Sequence, residues 1–386
     1  MHKLKSRRIH ATFYHFYKWL KELCGRLEIV YYFKILFGSN LKRKNISKGE
    51  DLNAKELTAI QKTWAGIHFK DYWFKWYKWV YEHSHRDSSL NAEFMSRFIP
   101  DNLYFYYFCP RLSDVNVCQS FDDKNMYDLY FPGVQMPTTL FRKIDGKLLD
   151  KEYLPILDEN TLAFLDRQTA IVIKPSIDSS GGKGVLFMDG TCDKKEIMEC
   201  LKRMNNCIVQ ERICQHKVLS DIHPSSINTI RIVSFYYQGK VEILSAILRI
   251  GIGDSKVDNS SSGGIFIGIS QDGLLKEYAF NKWGSYYQKH PTSGFVFKDT
   301  LVPGFNKCKQ LCIDQHYRLI QFTHLVSWDL AIGIDGNPIL IEANLTFGDI
   351  DFHQIANGPL FGSFTDSVIQ MVFSDKINRA INKVFF

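Results

Sequence analysis

Asp329, Glu342 and Asn344 are, by type and spacing, the residues of this 386-residue chain best suited to holding a hard cation. Alternating runs flank Asp335-Gly336, a dipeptide that favours a tight hairpin turn with positive φ. With that turn as the loop, Asp329 stands opposite Glu342. Asn344 follows two residues on and shares their face. Opposed carboxylates in a sheet have Cβ atoms about 4.5–5.5 Å apart and repel each other. A positive charge between them resolves the conflict. Two carboxylates and an amide oxygen form an all-oxygen site that suits Mg²⁺. The opposite face carries Trp328, Leu330, Ile332, Ile339 and Ile341, as a core requires. The plainer alternative is a solvated hairpin with incidental acids. Three oxygen ligands converging on one face favour the metal.

Other residues supply what such an ion would need beside it. Lys174 ends the apolar run 171–174, and a lysine leaving a buried strand is costly unless it meets an anion. The following loop contains SSGGKG at 179–184. Its Ser180, Gly181, Gly182, Lys183 and Gly184 suit a phosphate lid, because glycines let backbone N–H groups converge on an anion. It is not a Walker A loop, since Ile177 stands where the first glycine belongs. By itself the loop is more commonly explained as a flexible surface hairpin. Gln210 and Glu211 end another strand, with Ile213 beyond. That edge offers groups to an adenine, or is an ordinary strand-to-loop transition. Arg231 and Arg249 lie on adjacent strands across Gln238-Gly239, and Arg231, between Ile230 and Ile232, faces away from the core. Guanidinium forks bind phosphate or carboxylate bidentately. Asn259, in the run VDNSSSGG at 257–264, is placed to close the same pocket. Together these residues describe a Mg-nucleotide site facing an acidic substrate.

The elements that must position them follow from periodicity. Strands at 171–174 and 185–188, a helix at 194–204 and a strand at 208–211 make one compact unit. Antiparallel pairs follow at 229–237 with 240–250 and at 264–270 with 274–280. A helix at 306–319 precedes the hairpin. Residues 51–114 read as helical. Leu57, Ile60 and Trp64 form one stripe there, and Tyr72, Trp73, Trp76, Trp79 and Val80 another, both read as packing. Residues 1–50 read as a basic amphipathic helical arm. They hold twelve Lys/Arg against three acids, a net +9 that leaves the rest of the chain near −2. Such an arm either lies on an anionic membrane through residues 1–48 or packs on the protein. No recognition motif accompanies the charge, so nucleic acid is not an expected partner.

A hydrophobic content of 45% with 23% charged residues belongs to a globular protein of two or three domains. No apolar run reaches membrane-spanning length, and no apolar segment with a cleavage site follows the basic start. The nine cysteines never fall as CxxC, and nothing completes a zinc site around Cys308 and Cys312. Reduced thiols and a cytoplasmic location are expected.

Lys124 after Asp123, Lys174-Pro175, the glycine loop, Gln210-Glu211, Arg231 in NTIR, Arg249, Asn259 with Gly263-Gly264, and Asp329 followed by Glu342-x-Asn344 come in an order that resembles the ATP-grasp superfamily. The resemblance covers 115–360 and is strongest to the sugar-transfer-associated, α-L-glutamate-ligase-related branch. It implies an α+β fold, with subdomains at 115–225 and 226–386 clasping ATP beneath a mobile lid. By this resemblance Lys124 and Lys174 contact the phosphates and the adenine side, and Glu211 with its neighbours forms the adenine hinge. Asp329, Glu342 and Asn344 hold one or two Mg²⁺. Arg231 steadies the transferring phosphoryl group, and Arg249, Asn259, Gly263 and Gly264 hold phosphate or acyl phosphate. The implied activity is an ATP-dependent carboxylate–amine ligase working through an acyl phosphate, in envelope or capsular polysaccharide biosynthesis. A phosphotransferase acting on a hydroxyl and a non-catalytic docking protein are the alternatives. Many members begin with a βαβ-type substrate domain, whereas residues 1–100 here are helical and aromatic.

Overall fold

Aromatic and apolar residues at helical spacing build the first part of the fold. The computed structural model describes residues 51–64, 71–84, 91–157, 170–177, 182–188 and 194–373, and the described residues from Asn53 on form one compact unit. The basic arm at 1–50, with Ser180 and Gly181 of the glycine loop, lies outside the described residues. Helix α1 (Ala54–Thr63) starts at a capping box in which Glu56 N–H donates to Asn53 Oδ1 (3.0 Å) and Asn53 N–H to Glu56 Oε2 (2.7 Å). It buries Ile60, with Trp64 just beyond its end. Helix α2 (Asp71–His83) buries Phe74, Trp76, Tyr77, Val80 and Tyr81. Its inward face is therefore centred on Tyr77 rather than on Trp79, which is half-buried. Helix α3 (Ala92–Ser96) completes this layer.

The first sheet has strand order β2-β1-β5-β3-β4 and is antiparallel throughout. Its strands are β1 (Thr139–Ile144), β2 (Lys147–Asp150), β3 (Ile171–Pro175), β4 (Leu186–Met188) and β5 (Cys207–Glu211). Phe141, Ile173 and Val209 pack against Ile197 and Leu201 of helix α4 (Lys194–Lys202). Periodicity had not indicated the β1–β2 hairpin. Its turn, Asp145-Gly146, has φ of +48° and +78°.

Helix α5 (Lys217–Ile222) leads to the second sheet, of order β10-β9-β8-β7-β6-β11-β12. Its strands are β6 (Ile230–Tyr237), β7 (Lys240–Ile250), β8 (Ile265–Ile269), β9 (Leu275–Phe280), β10 (Tyr286–Tyr287), β11 (Leu325–Ile332) and β12 (Pro338–Asn344). One face carries Ile230, Ile232, Leu248, Ile267, Trp328 and Leu330. It packs on Phe305, Cys308 and Cys312 of helix α6 (Phe305–Tyr317). Alternation therefore turns Arg231, Ser245, Arg249 and Asp329 to the other face. Helix α7 (Asp351–Asn357) lies across part of that second face, where Phe352 packs on Phe266 (4.7 Å between ring centroids). A final helix, α8 (Thr365–Phe373), ends the described chain.

The β11–β12 hairpin places Asp329 opposite Glu342 and Ser327 opposite Asn344, as the turn signal predicts, but by a different route. Gly333 N–H bonds Asn337 O (2.9 Å) and Gly336 N–H bonds Gly333 O (2.9 Å), so the loop is the three residues 334–336. Near the turn Leu330 pairs with Leu340 and Ala331 with Ile339. Ile341 then stands as an extra residue, a bulge that brings Glu342 level with Asp329. The expected apolar face is corrected accordingly. Leu340, Ala343 and Leu345 join Trp328, Leu330 and Ile332 in the core, whereas Ile339 pairs on the Asp329 side and Ile341 is displaced.

Candidate active site

A cavity of about 320 Å³ lies between the first sheet and the hairpin, lined by Lys124, Lys174, Ile208, Gln210, Leu340 and Ile341 among others. Ile341, the bulged residue, and its regularly paired neighbour Leu340 both reach it. Lys124 opens a short 3₁₀ turn capped by the Asp123 side chain, and its N–H bonds Ser176 O (2.9 Å). Its Nζ sits 2.6 Å from Glu342 Oε1. Lys174 leaves β3 beside it. Burial, and then the charge of Lys124, push the Lys174 ammonium down to about 8 against a smaller opposing pull from Glu342.

Gln210 holds its amide in one orientation. Nε2 donates to Pro137 O (3.2 Å) and Thr139 Oγ1 (3.3 Å), and a carbonyl can only accept, so Oε1 is the end left for the cavity. Glu211 and Ile213 do not line the cavity. Glu211 N–H bonds Thr138 O, and a little further on His216 N–H bonds Ile332 O, both at 2.9 Å. The chain leaving β5 is thus stitched to the hairpin.

The glycine loop comes back on the second sheet. Gly182 and Gly184 both have φ of +74°, and a Cβ on Gly182 would lie 2.6 Å from Asn259 Nδ2. Only glycine fits that approach. Lys183 is exposed. Gly263 and Gly264 use their N–H groups to close the turn around Ser260–Ser262, on Ser260 O (3.2 Å) and Asn259 O (3.1 Å).

On the second face, Asp329 is buried and gripped by two arginines. Arg231 Nε and Nη2 donate to its two oxygens at 2.6 and 2.7 Å, and Arg249 Nη1 adds a third bond at 3.1 Å. Burial alone would raise the Asp329 pKa. Arg231, by charge and hydrogen bonds, and then Arg249 hold it below the ordinary carboxylate value. Burial likewise opposes the charge on Arg231, but Asp329 outweighs it and raises that pKa. Arg249 Nη2 also reaches Asp258 Oδ1 (3.4 Å) and Asn259 Oδ1. Asp258 Oδ2 in turn accepts from Thr229 N–H (3.0 Å) and the Thr229 hydroxyl.

Two residues of this cluster were not legible beforehand. Asp258 sits in a Ser- and Gly-rich run, where an aspartate reads as a turn former. His353, from the first turn of α7, is fully buried with Nδ1 2.9 Å from Ser245 Oγ. Burial, and then the Arg231 charge, drive its pKa down to about 3, so it is a neutral imidazole. A lone His in the run DIDFHQ carries no local signal.

The donors fit a hard cation in part. Asn344 Nδ2 donates to Ser327 O (3.3 Å), which leaves Oδ1 to accept, and Glu342 is partly exposed. Asp329 has both oxygens committed to guanidinium N–H groups. Among the described residues no group of three or more His, Cys, Asp or Glu is placed to hold a metal. The repulsion expected between Asp329 and Glu342 is answered by the protein's own cations, Arg231 and Arg249 on one and Lys124 on the other.

Comparison by sequence with curated proteins gives no match. Among solved structures, the D-alanyl-alanine synthetase A of Vibrio cholerae O1 biovar eltor is similar at 13% identity and a TM-score of 0.37, over 67% of this chain and 66% of that one. The D-alanine–D-alanine ligase of Bacillus anthracis is similar at 14% identity and 0.38, over 68% of each chain. The L-amino acid ligase of Bacillus licheniformis follows at 16% and 0.34, over 76% of this chain and 51% of that one. The family description that matches is sugar-transfer associated ATP-grasp, over residues 107–368. With two antiparallel sheets flanking a lysine-lined cavity and a match spanning well over half its length, this chain belongs to the sugar-transfer associated ATP-grasp family and has the α+β ATP-grasp fold.

Proposed function

We propose that this protein is an ATP- and Mg²⁺-dependent ligase that joins a carboxylate to an amine through an acyl phosphate. The observation that carries the reading is the line of cations along the paired carboxylates of the hairpin: Lys124, beside Lys174 at the cavity, on Glu342, and Arg231 and Arg249 on Asp329. Phosphoryl transfer asks a protein mainly for positioning and charge neutralisation, and this line supplies both. Lys124 and Lys174 bind the polyphosphate. Gln210 Oε1 accepts from the adenine amino group, and Ile208 and Ile341 pack on the base. Arg231 and Arg249 hold the substrate carboxylate and the phosphate it receives. Glu342 and Asn344 hold the metal, as one or two ions. ATP supplies the phosphoryl group that turns a carboxylate into an electrophile. The amine then displaces phosphate and forms the amide. The Gly182–Gly184 segment, lying against Asn259, shields an acyl phosphate from water. The family description, sugar-transfer associated, supports a glycan-precursor carboxylate as substrate; a cytoplasmic location and contact of the basic arm at 1–48 with an anionic membrane belong to the same proposal, on the charge of the arm.

The test is ADP release from a matrix of sugar acids and amines. A ligase releases ADP only when both are present and yields an amide. Stable phosphate on the acceptor, formed without an amine, identifies a kinase instead. No binding of Mg-ATP at all identifies a docking protein.

A further inference from the structure

We infer that Asp329 serves two partners in turn: in the nucleotide-free protein it holds Arg231 and Arg249, and it opens to a divalent ion only when phosphate oxygens take those guanidiniums. This rests on the reading of the site as one for nucleotide and metal. Both Asp329 oxygens are occupied, by Arg231 at 2.6 and 2.7 Å and by Arg249 at 3.1 Å, and its side chain is 5% exposed. Glu342 is engaged less completely: Lys124 meets Oε1 alone, at 2.6 Å, and the side chain is 31% exposed, so it can meet a cation without nucleotide. Each carboxylate that faces the metal therefore starts with a protein cation upon it.

The exchange conserves ion pairs only if metal and anion arrive together. A metal ion alone, taking Asp329, strands the Arg231 guanidinium and strips Arg249 of one of its two carboxylates. An anion alone, taking the guanidiniums, strands a buried carboxylate. Leaving one half of a buried pair without its partner is strongly unfavourable. A phosphate presents the same pair of oxygens to a guanidinium fork as a carboxylate does, so Arg231 passes from one to the other with its hydrogen bonds intact. Arg249 stays tethered through Asp258 and Asn259 while Asp329 lets go. Metal and nucleotide therefore bind with positive coupling, and the coupling runs through Asp329.

Mn²⁺ titrations followed by EPR, with and without saturating ADP, test this. Without ADP, Asp329→Asn changes Mn²⁺ affinity by less than about twofold, whereas Glu342→Gln weakens it. With ADP, Asp329→Asn weakens Mn²⁺ by about tenfold or more. Arg231→Gln frees the carboxylate and tightens binding of Mn²⁺ alone by about tenfold. Equal weakening by Asp329→Asn with and without ADP overturns the inference while ADP binding still upholds the nucleotide site. So does a folded Arg231→Gln protein with unchanged affinity for Mn²⁺ alone. If Arg231→Gln does not fold, the Asp329→Asn comparison decides. Failure of the wild type to bind ADP under any condition overturns both the inference and the functional reading beneath it.

Discussion

Lys174 ends an apolar strand beside a second lysine, and burial with that neighbouring charge brings its ammonium down to about 8. Below about pH 8 it is charged, as the proposed contact with polyphosphate requires. Above that, binding must first take up a proton, so nucleotide affinity falls by up to about tenfold per pH unit. Calorimetric Kd values for ADP across this range should show the decline, and Lys174→Arg, charged throughout, should flatten it. A flat wild-type profile would count against the assignment of Lys174. The same shift makes the free protein more stable as pH rises from about 8 towards the ordinary lysine value, because there the unfolded chain keeps a proton that the fold has lost. Lys174 and the opposed pair Asp329 and Glu342 were legible because each is marked locally, by a strand end or a turn dipeptide. The grip of Arg231 and Arg249 on Asp329 was not. It joins three strands that are neighbours only after the sheet has formed.

At the scale of elements, strands and helices with clean periodicity were predicted closely: β7 matches its expected bounds, and α6 differs by a residue or two. The β1–β2 hairpin escaped because Arg142 and Lys143 interrupt its alternation. Arg142 is nonetheless 1% exposed, paired with Asp128 at 3.2 and 2.9 Å and bonded to Asn125 O at 2.6 Å. A charged residue reads as surface until its partner is known. The bulge at Ile341 was equally hidden, since turn chemistry says nothing about an extra residue five positions away. Its displacement into the cavity gives a prediction. Ile341→Ala should weaken ADP binding by about tenfold, from roughly two lost methylene-sized groups of apolar contact at about 0.8 kcal/mol each. The melting temperature should barely move, because Ile341 is outside the sheet core. A large loss of stability with unchanged ADP affinity would show that Ile341 serves packing instead.

Across the whole molecule, the aromatic helices α1–α3 dock on α7, and Gln354 is the hub. Its Nε2 donates to Tyr77 Oη and Ile99 O, both at 2.8 Å, while its Oε1 accepts from Ile99 N–H at 2.9 Å. Tyr81 Oη donates to Gln354 O at 3.0 Å. Gln354→Leu should cost about 1–3 kcal/mol in denaturant unfolding, because it leaves the Ile99 N–H buried and unpaired and Ile99 O with only a long bond from Tyr77 Oη (3.4 Å). A change below about 0.5 kcal/mol would mean that this seam does not hold the helices. The helical character of the region was legible from its stripes. Its docking partner was not, because α7 lies more than 250 residues further on. The extra residue at Ile341 also governs how the chain accommodates insertions and deletions. Ile334, at the hairpin tip, is 74% exposed, so added length there projects into solvent. Strand β12 carries one residue of slack: a deletion anywhere from Pro338 to Ile341 can be absorbed by ironing out the bulge, with Glu342 still abreast of Asp329. Descendants of this chain can therefore reshape the wall of the cavity without disturbing the carboxylates beside it.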